Sequence, residues 1–296
     1  MDWDDFRYFL AVSRVGTLSG ASRKLDVDQA TVSRRIDKLE RALKTRLFKR
    51  GITGYEPTQA GVSLLSAAET METAALVAKA DLSVKNLTPR VVRIGAPDGF
   101  GSVFLAPRLR LLCDMHPHLQ IELVATARNF SLTKREADIA FSLNQPDSGR
   151  IIFRKLTDYQ LGLYASANYL LANEPIEEVQ DLCRHHFIGY IEDLLFSPEL
   201  NYLPALTKDI SARIKSANLN AQLGACLSGA GLAVLPAFMT AGLPQLQRVL
   251  PDHITLSRTF YMQMHEESRR IGSIQETAKF ILQQVWINRA LFNPDP

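Results

Sequence analysis

Cysteine is scarce in this chain: Cys113, Cys183 and Cys226 are three among 296 residues, odd in number and far apart. That excludes a disulfide framework and fits a reducing compartment. No second cysteine lies near Cys183, which leaves a thiol switch without a partner. Histidine is sparse too, six in all, and Cys183-Arg-His185-His186 is the one local cluster. Adjacent histidines do not share a helix face, and no zinc-finger or HExxH spacing occurs, so no metal site is expected. There is no G-x-S-x-G and no P-loop, and Gly99-Phe-Gly101 lacks the third glycine of a dinucleotide-binding turn. The chain is therefore expected not to be an enzyme and to carry no cofactor. No run approaches the ~18 apolar residues needed to span a bilayer. The opening Met1-Asp-Trp-Asp-Asp5 is acidic, with no basic n-region or apolar h-region. Together these features predict a cytoplasmic protein with no membrane partner.

What is present is an ordinary globular composition, 46% hydrophobic and 22% charged, with a net charge of +3. The charge is unevenly placed. Residues 1–60 hold 12 Lys/Arg and 8 Asp/Glu, a net of +4, and the remainder nets −1. A basic excess at one end suits a polyanionic partner. Within that end, Leu18, Ala21 and Leu25 recur three and four apart, as do Val32, Ile36 and Leu39, predicting two short amphipathic helices. Asp26-Val27-Asp28 joins them, with Asp28 where a helix N-cap belongs. The outward face of the second helix offers Gln29, Thr31, Ser33, Arg34, Arg35 and Lys38, side chains that hydrogen-bond base edges and phosphates. Ahead of the pair, Phe6, Phe9 and Leu10 mark a supporting helix. A solvated basic helix reads the same way when taken alone. The unit as a whole has the helix-turn-helix pattern.

After it, Leu47-Phe48-Lys49-Arg50, a turn from Gly51 to Gly54 and Pro57-Thr58-Gln59-Ala60-Gly61 read as a small β-wing. The ordered string Gln29-Ala-Thr-Val-Ser-Arg-Arg-Ile-Asp-Lys-Leu-Glu40, Leu47-Phe48-Lys-Arg50 and Thr58-Gln-Ala-Gly61 resembles the DNA-binding end of the LysR-type transcriptional regulators. Pro57 departs from it, standing where a leucine is usual. The resemblance implies a bacterial regulator that binds double-stranded DNA as a homodimer or homotetramer, with RNA polymerase as a further candidate partner. Gln29, Ala30, Thr31, Ser33, Arg34 and Arg35 would enter the major groove, and Lys38 and Arg50 would sit on phosphates.

Residues 58–87 read as one long helix between Pro57 and Pro89. Leu64, Ala68, Met71, Ala75, Ala78 and Leu82 are spaced 4, 3, 4, 3 and 4 apart, a heptad seam that predicts a two-helix coiled coil. The same stripe also serves a helix packed on its own domain. Asn86-Leu-Thr-Pro-Arg90 reads as a hinge. Beyond it short apolar strands alternate with helices, predicting mainly parallel α/β sheets. Two strands are expected within 151–164, at Ile151–Leu156 and Gln160–Tyr164.

The likeness continues through Val91-Val-Arg-Ile-Gly95, Ala106-Pro107-Arg108-Leu109, Asp138-Ile-Ala-Phe141 and Gly229-Ala-Gly-Leu-Ala-Val-Leu-Pro236. It implies a multidomain α/β chain: a winged helix-turn-helix (1–58), a linker and dimerisation helix with its hinge (59–89), and a two-subdomain, periplasmic-binding-protein-like effector domain (90–296). Subdomain I would comprise 90–160 and 266–296, and subdomain II 161–265. Ligands in such sheets bind beyond the carboxyl ends of strands, at helix N-termini. The turns Pro97-Asp98-Gly99-Phe100-Gly101-Ser102 and Ser216-Ala217-Asn218 qualify, and the family pocket adds Thr126 and Tyr190, all to hold a small-molecule effector. Asp98 stands out. It would repel a carboxylate and pair with an ammonium group, or else cap its own helix and touch no ligand. The competing function is a ligand-insensitive repressor or architectural DNA-binding protein with a vestigial cleft. A cavity of ~300 Å³ or more would favour effector response, and a collapsed one the alternative.

Overall fold

The computed structural model describes residues 2–51, 54–82, 90–128, 130, 132, 136–145, 151–207, 210–266 and 268–294. It forms two compact units, one built on Met1–Thr88 and the other on most of Pro89–Pro296. The first contains α1 (Trp3–Val15), α2 (Leu18–Leu25), α3 (Gln29–Leu43), the hairpin β1 (Phe48–Gly51) and β2 (Gly54–Pro57), and α4 (Gln59–Leu82). Local chemistry sets the helix ends. The Asp28 carboxylate accepts the Thr31 N–H at 2.7 Å to start α3, and Asp26, at φ 55°, stops α2 in the left-handed region. Phe9, Val12, Ala21, Val32, Ile36 and Leu39 are fully buried and hold the three helices together. Phe48 joins this core from the hairpin, its ring 5.3 Å from that of Phe9.

Two glycines let the wing meet α1. Gly16, at φ 76°, ends α1 and its carbonyl accepts the Tyr55 N–H at 2.8 Å. At Gly54, φ is 126° and a Cβ would lie 2.3 Å from the Gly16 oxygen. Gly54→Ala should therefore cost about 1–3 kcal/mol. An unchanged denaturation midpoint for this unit would overturn that expectation.

The expected helix over 58–87 begins at Gln59 and runs to Leu82; residues 83–89 lie outside the described residues, so that of the expected hinge 86–90 only Arg90 is described, and it begins a strand. Ala68 is buried in the core of its own unit, and Leu64 and Met71 pack against that core. Arg14, on α1, adds a bidentate pair with Glu72 at 2.6 and 3.2 Å. The first half of the stripe is thus satisfied within the unit, which a heptad pattern cannot distinguish from a coiled-coil seam. Ala75 is exposed, and the side chains of Ala78 and Leu82 lie outside the described residues.

The second unit opens with β3 (Arg90–Ala96), a turn of π-helix (Phe100–Leu105), α5 (Ala106–Met115), β4 (Leu119–Ala125) and β5 (Ile139–Ser142). Next come β6 (Ile151–Ser166), α6 (Ala167–Ala172), β7 (Phe187–Gly189), α7 (Leu203–Leu206), β8 (Ala212–Lys215), α8 (Leu219–Leu227) and β9 (Leu232–Pro236). The chain closes with α9 (Ala237–Thr240), β10 (Leu246–Val249), β11 (Thr255–His265), α10 (Gly272–Ile287) and α11 (Arg289–Phe292). The strands hydrogen-bond in the order β4-β3-β5-β11-β6-β9-β7-β8, with β10 also on β6. This sheet is mixed, not mainly parallel. β3 pairs in parallel with β4 and β5 at one end, and β7 with β8 and β9 at the other, while β11 and β6 cross the middle antiparallel to each other and to their outer neighbours. The two strands expected within 151–164 are one. Phe260 pairs with Thr157 and Tyr261 with Lys155, so Leu156 bulges, and the slip breaks the alternation that would have revealed a single long strand. The long helix α10 ends at Ile287, and Arg289 opens the separate α11.

Candidate functional site

On α3 the exposed face is set by the buried one. With Val32, Ile36 and Leu39 turned inward, Ala30, Arg34, Asp37 and Arg41 recur at i, i+4, i+7 and i+11 on the opposite side. Gln29, Ala30 and Arg34 are exposed. Arg34 donates to the Thr31 hydroxyl at 3.0 Å, and that hydroxyl donates to Asp28 at 2.7 Å, so the first turn forms one ordered polar edge. Ser33 is half-buried at its flank. Arg41 is exposed, seven residues beyond Arg34. Sequence reading passed over it, although that two-turn spacing was there to see.

Three of the expected DNA contacts are engaged elsewhere. Arg35 lies against Asp5 at 2.9 Å and Asp2 at 3.1 Å, and those hydrogen bonds raise its pKa, Asp5 contributing most. Lys38 approaches Asp2 at 3.4 Å and Asp5 at 3.5 Å. Arg50 pairs with Asp37 and, at 3.6 Å, with Glu40. Glu40 is itself buried. Its carboxylate accepts the N–H groups of Leu47 at 2.7 Å and Phe48 at 3.2 Å and pairs with Arg46 at 2.8 Å. One carboxylate on the reading helix thereby fixes where the wing begins.

In the second unit, Pro97, Asp98, Gly99, Phe100 and Tyr190 come together around a cavity of about 20 Å³. Gly101, Ser102, Thr126 and Asn218, expected there, are not among its lining residues. The π-helical turn starts at Phe100 and swings Ser102 outward to solvent. Gly101 faces Ala125, where a Cβ would lie 2.7 Å from the alanine Cβ. The Thr126 N–H donates to the Ala96 carbonyl at 3.0 Å, and Asn218 caps α8 by accepting the Ala221 N–H at 3.0 Å.

Aromatic rings fill most of the space. The Phe100 ring is tilted against Phe260 with centroids 4.7 Å apart, Tyr159 stacks on Phe260 at 4.3 Å, and Phe238 and Phe292 close the cluster at 5.2 Å. No local motif announced this floor, which draws on positions from 100 to 292. Burial raises the pKa values of the Tyr159 and Tyr190 phenols well above their ordinary value and pushes that of Tyr202 up to about 12, so all three are neutral at physiological pH. The Asp98 carboxylate, 3% exposed, reaches beyond its own turn. It accepts the N–H of Leu219, the first residue of α8, at 2.6 Å. Burial raises its pKa, opposed by backbone hydrogen bonds from Leu219, Gly99 and Asn220. It is not a free carboxylate awaiting an ammonium group. A second cavity of about 110 Å³ lies beyond Tyr190 and Tyr202, bordered by Gln222 and the Lys215–Glu192 pair.

Cys113, Cys183 and Cys226 are free thiols. Among the described residues no three His, Cys, Asp or Glu side chains are grouped to hold a metal, and no helix is long and apolar enough to cross a membrane.

The chain is 29% identical over 262 residues to the Mau operon transcriptional activator of Paracoccus denitrificans, covering 88% of this chain and 89% of that protein. It is 25% identical over 242 residues to the regulator CrgA of Neisseria meningitidis serogroup C, covering 80% of each. The solved structure of CrgA superposes with a TM-score of 0.58 at 19% identity, over 96% of this chain and 99% of that one. ArgP from Mycobacterium tuberculosis gives 0.70 at 17% identity, over 96% and 97%. Residues 3–62 match the family described as bacterial regulatory helix-turn-helix protein, lysR family, and residues 85–286 match the LysR substrate binding domain. With both of its units matched in this order, the chain belongs to the LysR-type transcriptional regulators.

Proposed function

We propose that this regulator reads duplex DNA as a homodimer, assembled further into a tetramer, and that a small molecule modulates its binding through the cleft of residues 90–296. Gln29, Ala30, Thr31, Ser33 and Arg34 face base edges, joined by Arg41. Arg50 and the wing approach phosphates, and Lys38 and Arg35 reach the backbone only by leaving Asp2 and Asp5. The observation that carries this reading is the exposed face of α3, which presents Arg34 with its guanidinium ordered by Thr31. Dimerisation falls to the part of the linker segment 59–89 beyond Met71, since Leu64, Ala68 and Met71 are already packed. The effector region divides where β6 and β11 cross, into 90–160 with 266–296, and 161–265. A second reading, DNA binding that needs no effector, is favoured by the cavity of about 20 Å³, too small for anything beyond a single water.

Footprinting on DNA upstream of the protein's own gene and its neighbour's, at two salt concentrations, tests the first reading. Two or more phased half-sites, protected at low salt and released as salt rises, are expected. Absence of protection there and on genomic fragments at low salt would overturn it. A metabolite panel that never shifts the footprint would establish the second reading.

A further inference from the structure

A helix leaves its first N–H groups without intrahelical partners, so each needs an acceptor from elsewhere. In α8 the accounting closes without any ligand. The Ala221 N–H goes to the Asn218 side chain and the Gln222 N–H to the Asn218 carbonyl. That leaves Leu219, whose N–H Asp98 accepts at 2.6 Å, and Asn220, whose N–H faces the same carboxylate. Among the described residues lining the cavity, Asp98 is the one charged group, so no cation sits there as its counter-ion. The helix N-terminus serves instead.

The contact also spans the sheet. Asp98 follows β3 and Leu219 follows β8, strands on opposite sides of the crossing pair β11 and β6, and the two residues are 121 positions apart in sequence. The approach depends on Gly99, where a Cβ would meet the Met239 sulfur at 2.6 Å and Leu219 Cδ2 at 3.0 Å.

We propose that Asp98 is a built-in ligand: its carboxylate occupies the anion site at the N-terminus of α8 and holds the two halves of the effector unit closed when no effector is bound. The proposal rests on reading this cleft as the effector site. An effector bearing a carboxylate then competes with Asp98 for the same two N–H groups, and opening the cleft requires breaking that contact. The closed state is the ground state of the free protein.

The test is amide hydrogen exchange on the full chain, which needs no DNA and so stands or falls separately from the footprint. In Asp98→Ala the Leu219 and Asn220 amides lose their acceptor and should exchange about ten- to a hundredfold faster, the range expected for one charged hydrogen bond. Sodium acetate should slow them again, saturably, and raise the melting temperature, while sodium chloride at equal ionic strength does neither. The unaltered protein should not respond to acetate beyond its response to chloride. Unchanged exchange at both amides in Asp98→Ala, or acceleration that acetate leaves untouched, would overturn the proposal. Should Asp98→Ala not fold, Asp98→Leu keeps a side chain of similar shape without an acceptor. Faster exchange at the same two amides then supports the proposal, and unchanged exchange overturns it.

Discussion

Glu40→Ala should destabilise the DNA-binding unit by about 2–6 kcal/mol, the cost of leaving two buried backbone donors without their acceptor, and abolish half-site protection. The carboxylate is 4% exposed and accepts two backbone N–H groups, those of Leu47 and Phe48, at the junction between α3 and the wing. Alanine leaves both donors without this acceptor, and buried donors left unsatisfied cost about 1–3 kcal/mol each. A competing effect has the opposite sign. Removing an acid beside Arg46 and Arg50 frees positive charge for phosphates, worth about one more released counter-ion in the salt slope. That gain is available only while the wing is in place, so the structural loss should win. Glu40→Gln separates the two, because its amide oxygen still accepts a hydrogen bond while the charge is gone. It should lose about 1–2 kcal/mol and retain salt-dependent binding. Denaturant unfolding of both variants, followed through the first unit, checks the order. Equal midpoints for Glu40→Ala and the unaltered protein would sink the argument.

The parts legible in the sequence were those whose causes are local. Asp28 caps α3 within three residues, and the buried faces of α2 and α3 show their period directly. The rest depends on partners that spacing does not announce. Arg34 and Arg35 are chemically alike and both lie off the buried face of α3, until Asp5, thirty positions away, claims one of them. The stripe Leu64, Ala68 and Met71 was visible, but whether it faces a second chain or α1 is not written in its spacing. The bulge at Leu156 hid the continuity of β6 for the same reason, since it exists only opposite Phe260 and Tyr261. Pro97–Phe100 are neighbours in one turn and line the small cavity together, whereas the partner of Asp98 lies on a helix 121 residues away and no local pattern points to it. The aromatic floor has no motif at all. It is assembled by the crossing of β6 and β11 and by the return of the last helix.

Arg34→Ala should weaken binding at a specific site ten- to a hundredfold, about 1–3 kcal/mol, and relax base preference there, with little effect on non-specific DNA. A guanidinium aimed at a base edge discriminates, whereas one lying on a phosphate only attracts. Arg34 is exposed and ordered by Thr31, which is the arrangement a reader needs. Lys38→Ala should weaken all sequences alike and flatten the salt slope by less than the ~1 of a free phosphate contact, because Asp2 and Asp5 hold part of its charge in the unbound protein. Arg35→Ala should differ from both. It strips the 2.9 Å partner from the buried Asp5, so its first effect is on stability, and its effect on base preference is small. Titrating specific and scrambled duplexes at several salt concentrations, alongside denaturation midpoints, distinguishes the three. If Arg35→Ala were the variant that relaxed base preference while Arg34→Ala left it intact, the reading face would be turned by about one residue, roughly 100° around α3. The contacts with Asp2 and Asp5 would then have to break on every encounter with DNA. Specific binding would carry that cost, and Asp2→Ala would tighten it. The present geometry expects no tightening at the specific site beyond the sequence-independent gain from one fewer negative charge.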